Sequence, residues 1–157
     1  MTSLRLCAAL AHQIHAHVRQ AYPEEGCGVL LGRDDAGTRA VERVLPCPNR
    51  GAAARGHRYQ IAPEDVLAAD REARAAGLDV VGFFHSHPDH PAAPSAFDLE
   101  HAWPYYSYLI VSLEAGRVVD AKAWRLAADR SRFETETLES LPAGAQASGS
   151  AGSETPR

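Results

Sequence analysis

No stretch of this chain is apolar for long enough to cross a bilayer, which takes about 20 consecutive residues. The opening segment, MTSLRLCAALAHQIHAHVRQ, lacks the unbroken apolar core of a secretory leader, because histidines interrupt it. The expected address is therefore the cytoplasm, away from membranes. Cysteine is scarce: Cys7, Cys27 and Cys47 are odd in number, widely spaced and without a C-x-x-C pair. That pattern argues against both a disulfide framework and a cysteine-built zinc site. Three reduced, mostly buried side chains are expected instead, with Cys27 keeping a minor claim on function through its nearness to Glu25. Positive charge is in deficit too. Sixteen Lys and Arg against twenty Asp and Glu leave a formal net charge of −4, which disfavours a nucleic-acid partner.

What is present is an ordinary globular composition, 45% hydrophobic and 23% charged over 157 residues, enough for one domain with its own core. Leu6, Leu10, Ile14 and Val18 recur every four residues, which predicts a helix over 4–21, ended by Pro23. The run from Glu25 to Gly32 is short, apolar and glycine-bounded, and predicts a buried strand with a turn at 34–37 and a hairpin partner at 40–45. Residues 46–56 read as a mobile loop and 59–61 as a brief strand. Pro63 opens a second helix as its first-turn proline, Glu64 and Asp65 suit its N-terminal dipole, and the helix stops near Gly77. Residues 80–85 have the pattern of a central strand, followed by a proline-broken loop at 88–94 and a short helix from Ser95. Further strands are expected at 108–113, 118–125 and 132–138. The domain would span 1–141, and 142–157, made of small and polar residues, would form a disordered tail. The alternation of elements predicts an α/β or α+β sandwich with one sheet between helices.

The chemically informative stretch is His85-Ser86-His87-Pro88, six residues, Ser95, two residues, Asp98. On an extended strand, residues two apart share a face, so His85 and His87 can aim their imidazoles at one point. Asp98 is available as a third ligand just beyond the loop. Two histidines and a carboxylate, with a fourth position left to water, are the donor set of an open catalytic zinc site. Ser95 and Asp98 also fit a helix capping box, and the two readings are compatible. His90 and His101 are alternative ligands. His15-x-His17 has the same spacing but lies on a helix, where residues two apart diverge, and it reads as solvated.

This spaced set resembles the signature of the JAMM (MPN-plus) metallopeptidases at each defining position. Pro23 to Gly32 is similar to that family's first strand with its catalytic glutamate. Arg58-Tyr59-Gln60-Ile61, Ala102-Trp103-Pro104 and Tyr108-Leu109-Ile110-Val111-Ser112 resemble segments of its small stand-alone bacterial members. The resemblance covers roughly 4–138. It implies a single-domain α/β JAB/MPN fold, like that of cytidine deaminases, with a mixed sheet flanked by helices. It also implies one Zn2+ per chain, held by His85, His87 and Asp98. Glu25 would be the general base, chosen over Glu24 for its place two residues before Cys27-Gly28, and Ser95 would donate a hydrogen bond to the developing oxyanion. The substrate class it implies is a ubiquitin-like sulfur-carrier protein, cut after its C-terminal Gly-Gly. The seven residues between His87 and Ser95 leave no room for the insertions by which eukaryotic relatives grip ubiquitin.

Three rival readings compete with this one. A nucleobase deaminase needs P-C-x-x-C, and Pro46-Cys47-Pro48-Asn49-Arg50 lacks the second cysteine. A DNA-repair-associated branch of the family usually carries a helical DNA-binding segment upstream, and acidic charge disfavours it. A non-catalytic MPN-type scaffold would have lost ligands that are intact here. Isopeptidase action on ubiquitin-like conjugates remains an alternative within the same chemistry.

Overall fold

The computed structural model describes residues 2–50 and 59–141. The expected tail at 142–157, part of the 46–56 loop, and His57 and Arg58 lie outside the described residues. In chain order the elements are β1 (Ser3–Cys7), α1 (Ala8–Ala21), β2 (Cys27–Asp35), β3 (Thr38–Cys47), α2 (Pro63–Ala75), β4 (Asp79–Pro88), α3 (Ala96–His101), β5 (Ser107–Glu114), β6 (Arg117–Leu126) and β7 (Phe133–Leu141). No helix among the described residues is long and apolar enough to cross a membrane.

The strands form one mixed sheet in the order β1-β3-β2-β4-β5-β6-β7, and β7 returns to pair in parallel with β1, closing the sheet into a barrel. The expected mixed sheet flanked by helices is present, and its two ends meet. The closing contacts are short on the β3 side, where β1 pairs only with Thr38, Arg39 and Ala40. Central β4 runs antiparallel to β2 and parallel to β5. Its residues alternate between two cores. Phe84 joins Leu30, Val41 and the α1 residues Ile14 and Val18, while Phe83 joins Val29, Leu31 and the α2 residues Ala69 and Ala73.

β1 is a correction. Residues 3–7 form a strand, and the helix starts only at Ala8. Leu4 and Leu6 alternate with Ser3 and Arg5, and this period of two is satisfied by pairing with β3 and β7. The four-residue spacing held only from Leu10 to Val18. One expected element is absent: residues 59–61 form no strand. They are held instead by the Arg50 N–H donating to the Gln60 carbonyl at 2.7 Å and the Gln60 N–H donating to Asn49 Oδ1 at 3.0 Å.

The other expected elements form with shifted ends. Pro63 starts α2, Gly77 follows it at φ +72°, and Ser95 caps α3. Gly28 is required by close approach: a Cβ there would collide with the Phe84 ring and the Leu45 carbonyl. The glycine lets β2 lie flat against β4 immediately beside the site.

Candidate metal centre

His85 and His87 occupy the C-terminal end of β4 on the same face of the sheet, opposite Cys27 of β2 and Ser112 of β5 respectively. Asp98 enters from the first turn of α3. Three atoms converge: His85 Nε2 and His87 Nε2 are 3.2 Å apart, and Asp98 Oδ2 lies 3.3 Å from the first and 3.1 Å from the second. All three residues are buried, and together they offer three ligand atoms that could hold a metal ion.

The spacing fits a metal. Ligand atoms about 2.0–2.1 Å from a tetrahedral zinc sit about 3.3 Å from one another. The donor chemistry fits as well. His87 Nδ1 lies 2.8 Å from the Pro91 carbonyl, which only accepts, so that nitrogen carries the hydrogen and the neutral ring presents a lone pair at Nε2. A lone pair, a second imidazole nitrogen and a carboxylate oxygen at these distances repel one another unless a cation or proton lies between them.

Asp98 does two things with one carboxylate. Oδ2 accepts from the Ser95 N–H at 2.9 Å, while the Asp98 N–H donates to Ser95 Oγ at 3.0 Å, which completes the capping box. The same Oδ2 faces both imidazoles. Burial pushes the Asp98 carboxyl upward, but the hydrogen bonds with His85 and His87 outweigh it and hold the group well below the usual carboxylate range. Burial lowers His85, which favours the neutral imidazole that ligates metals. For His87, burial is outweighed by the Asp98 and Pro91 hydrogen bonds, and the net shift is upward.

Glu25 stands beside this trio. Its backbone is fixed from two sides. Asn49 Nδ2 donates to the Glu25 carbonyl at 3.0 Å, and the next residue, Gly26, donates its N–H to Ser86 Oγ at 2.8 Å and accepts from the Ser86 N–H at 3.0 Å. The Glu25 side chain is 4% exposed, whereas Glu24 is exposed. Glu25 Oε1 is buried with no hydrogen-bond partner among the described residues. Burial pushes the carboxyl up to about 8, with His87 opposing and Asp98 adding to the shift. Glu25, His87 and Ser95 line one open cleft of about 280 Å³, together with His90, Pro91 and Ala93. A carboxyl titrating near neutrality beside a potential cation site can take up and release a proton during a reaction.

The remaining sequence candidates separate cleanly. His90 lines the cleft without joining the converging trio, and His101 is exposed, its Nδ1 against the Phe97 carbonyl at 3.0 Å. His15 and His17 are half-buried, which corrects their solvated reading. Helix α1 lies against the curved sheet, so His17 packs edge-on to Phe84 with centroids 6.1 Å apart. All three cysteines are free. Burial pushes the Cys27 thiol up to about 12 and that of Cys47 up to about 11, which leaves neither a useful thiolate. Sequence reasoning missed Asn49, Ser86 and the Pro91 carbonyl, whose roles depend on partners distant in the chain or on loop conformation. It noted Tyr59 only as part of a brief strand and of a similar segment.

Residues 8–127 match the family of prokaryotic homologs of the JAB domain. The desampylase of Haloferax volcanii is 42% identical over 119 residues, covering 71% of this chain and 84% of that protein. A probable TtuB-protein conjugate cleaving protease of Thermus thermophilus is 33% identical over 108 residues, 69% of each chain. The CysO-cysteine peptidase of Mycobacterium tuberculosis is 30% identical over 120 residues, 76% of this chain and 80% of the other. A solution structure of a protein from Desulfitobacterium hafniense matches with a TM-score of 0.78 at 36% identity, covering 90% of this chain and 94% of that one.

Proposed function

Because the chain belongs to the prokaryotic JAB-domain family, we propose that it is a zinc-dependent peptidase cutting the amide bond after the C-terminal Gly-Gly of a ubiquitin-like sulfur-carrier protein. The observation that carries this reading is the convergence of His85 Nε2, His87 Nε2 and Asp98 Oδ2 beside the buried carboxyl of Glu25, whose Oε1 has no hydrogen-bond partner among the described residues. These three side chains would hold one Zn2+ per chain. Zinc supplies a Lewis acid that polarises a carbonyl and makes water a stronger acid.

The protein's own groups do the rest. Glu25 accepts the proton of the attacking water at its carboxylate and returns it to the departing amine. The Ser95 hydroxyl already accepts from the Asp98 N–H, which leaves its own O–H to donate to the oxygen that gains charge. Ser86 and Asn49 keep the Glu25 backbone in register with β4.

The relatives support peptidase action: one is named for CysO-cysteine and another for TtuB-protein conjugates. The second name favours an isopeptidase as the alternative reading. A non-catalytic scaffold is disfavoured by the intact donor set. We place the peptidase domain at 1–141 and its work in the cytoplasm, where three free cysteines are at home. No nucleic-acid partner is proposed for a chain of net charge −4.

The test is cleavage of a sulfur-carrier protein bearing a short extension after its Gly-Gly, read by intact mass. Trimming by wild type, abolished by Glu25→Ala and by chelation, is the expected result. If zinc-loaded protein trims no carrier, the carrier assignment falls, and isopeptide-linked conjugates become the next substrates to try.

A further inference from the structure

The two histidines of the metal centre are oriented in different ways. His87 Nδ1 donates to the Pro91 carbonyl at 2.8 Å. The loop carrying Pro91 is itself pinned, by the Trp124 Nε1–H donating to the Ala92 carbonyl at 3.1 Å and by the Ser112 hydroxyl donating to the His90 carbonyl. An outer hydrogen bond of this kind is the common means of fixing a ligating imidazole. His85 has no equivalent. Its Nδ1 is buried and finds no hydrogen-bond partner among the described residues.

His85 has Tyr59 instead. The two rings stack with centroids 4.2 Å apart and planes 17° from parallel. We propose that Tyr59 is a positioning residue for His85, doing with a ring face what the Pro91 carbonyl does for His87 with a hydrogen bond. This rests on the metal-site reading above. A ring held face to face cannot turn through the perpendicular without displacing its neighbour, so Nε2 stays aimed at the point it shares with His87 and Asp98.

The stack is also responsive to charge. A cation on Nε2 withdraws electrons from the imidazole, and the electron-rich phenol face then attracts it more strongly. Tyr59 therefore contributes more to the loaded site than to the empty one. Its own placement follows from neighbours already described. Gln60, the next residue, donates its N–H to Asn49 Oδ1, and Asn49 donates to the Glu25 carbonyl. One asparagine thus ties the segment that orients a metal ligand to the segment that carries the base. Ile61 anchors the other end against the α2-side core.

The experiment compares full-length wild type with Tyr59→Phe, Tyr59→Leu and Tyr59→Met. Zinc affinity is measured by competition with a chromophoric chelator, the cobalt(II)-substituted visible spectrum is recorded, and the melting temperature is taken without metal. Tyr59→Phe keeps the ring and should bind zinc within about threefold of wild type, whereas the Leu and Met variants should weaken it about 10- to 100-fold, the usual effect of removing an outer orienting group. Their cobalt spectra should shift while metal-free melting changes little. Met offers a second ringless side chain should Leu fail to fold. Zinc binding by folded Leu and Met variants equal to wild type would overturn the positioning role and leave the metal site intact. Loss in Tyr59→Phe as large as in Tyr59→Leu would move the role to the hydroxyl and overturn the stack. Folded wild type that binds no zinc would remove the metal site and this inference together.

Discussion

Asp98 and Ser95 hold each other reciprocally: the Ser95 N–H donates to Asp98 Oδ2 at 2.9 Å, and the Asp98 N–H donates to Ser95 Oγ at 3.0 Å. The oxygen that closes this cap is the one facing His87 at 3.1 Å. A helix start and a candidate metal ligand are thus a single carboxylate, and its rotamer is fixed before any ligand arrives.

Ser95→Ala removes the N-cap acceptor and should cost about 1 kcal/mol of stability. If Ser95 also serves the oxyanion, turnover should fall by about 100-fold or more with zinc retained. Melting curves, metal content and peptidase rates on the same preparation separate the effects. Loss of stability with unchanged turnover would reduce Ser95 to a cap.

Glu25→Gln should stabilise the metal-free protein at high pH. The folded carboxyl is raised from 4.5 to about 8, chiefly by burial. Its contribution is therefore fully present below about pH 4.5 and lost as the pH rises through 8. Relative to Glu25→Gln, wild type should lose on the order of 3–5 kcal/mol across that window. Denaturant unfolding of both proteins between pH 5 and 9 measures the difference, and parallel curves would show that Glu25 is more solvated than its 4% exposure implies.

Asp98→Ala should lose stoichiometric zinc, since it leaves two nitrogen donors in place of three ligands. It also removes half of the capping box, so a modest fall in melting temperature accompanies the loss of metal. Metal content measured after gel filtration is the check, and full zinc occupancy in this variant would redirect attention to His90.

Arg39→Ala should be the most destabilising of the four substitutions. The residue is 1% exposed, paired with Asp34 Oδ2 at 2.9 Å and donating to the Val81 carbonyl at 3.0 Å and to Ser107 Oγ at 3.2 Å. Truncation strands the buried Val81 carbonyl and Ser107 hydroxyl, at a cost of about 1–3 kcal/mol for each group left unsatisfied, while Asp34 is exposed to water. The pairing ties β3 to β4 and β5 near Val81 and Ser107, at the opposite end of β4 from His87. Variant protein that remains folded should therefore keep wild-type zinc affinity, and a large drop in affinity would reveal coupling between the two ends of the sheet.

The resemblance of the spaced motif carried the fold class, because fixed spacings along β4 and α3 reflect a shared arrangement in space. Details of packing were less legible. The Leu6-to-Val18 spacing suggested a helix from residue 4, yet Ser3–Cys7 pairs with β3 and with β7, more than a hundred residues away in the chain. Hydrophobic spacing alone could not distinguish these outcomes, since Leu4 and Leu6 satisfy a strand period as well as the start of a helical one. The half-burial of His17 was hidden for the same reason: what covers it is Phe84 of β4.

By itself the sequence determined what depends on local geometry. Alternation along an extended strand puts His85 and His87 on one face, a three-residue spacing lets Ser95 cap a helix with Asp98, and Pro63 and Gly77 bound α2. These follow from backbone dihedrals and the reach of one side chain. Only the tertiary structure decided which glutamate is buried, what orients each imidazole and how the sheet closes. Desolvation of Glu25, the Tyr59 stack and the Asn49 bracket each require segments dozens of residues apart to meet. Burial and long-range contact are properties of that meeting, and no short stretch of chain encodes them alone.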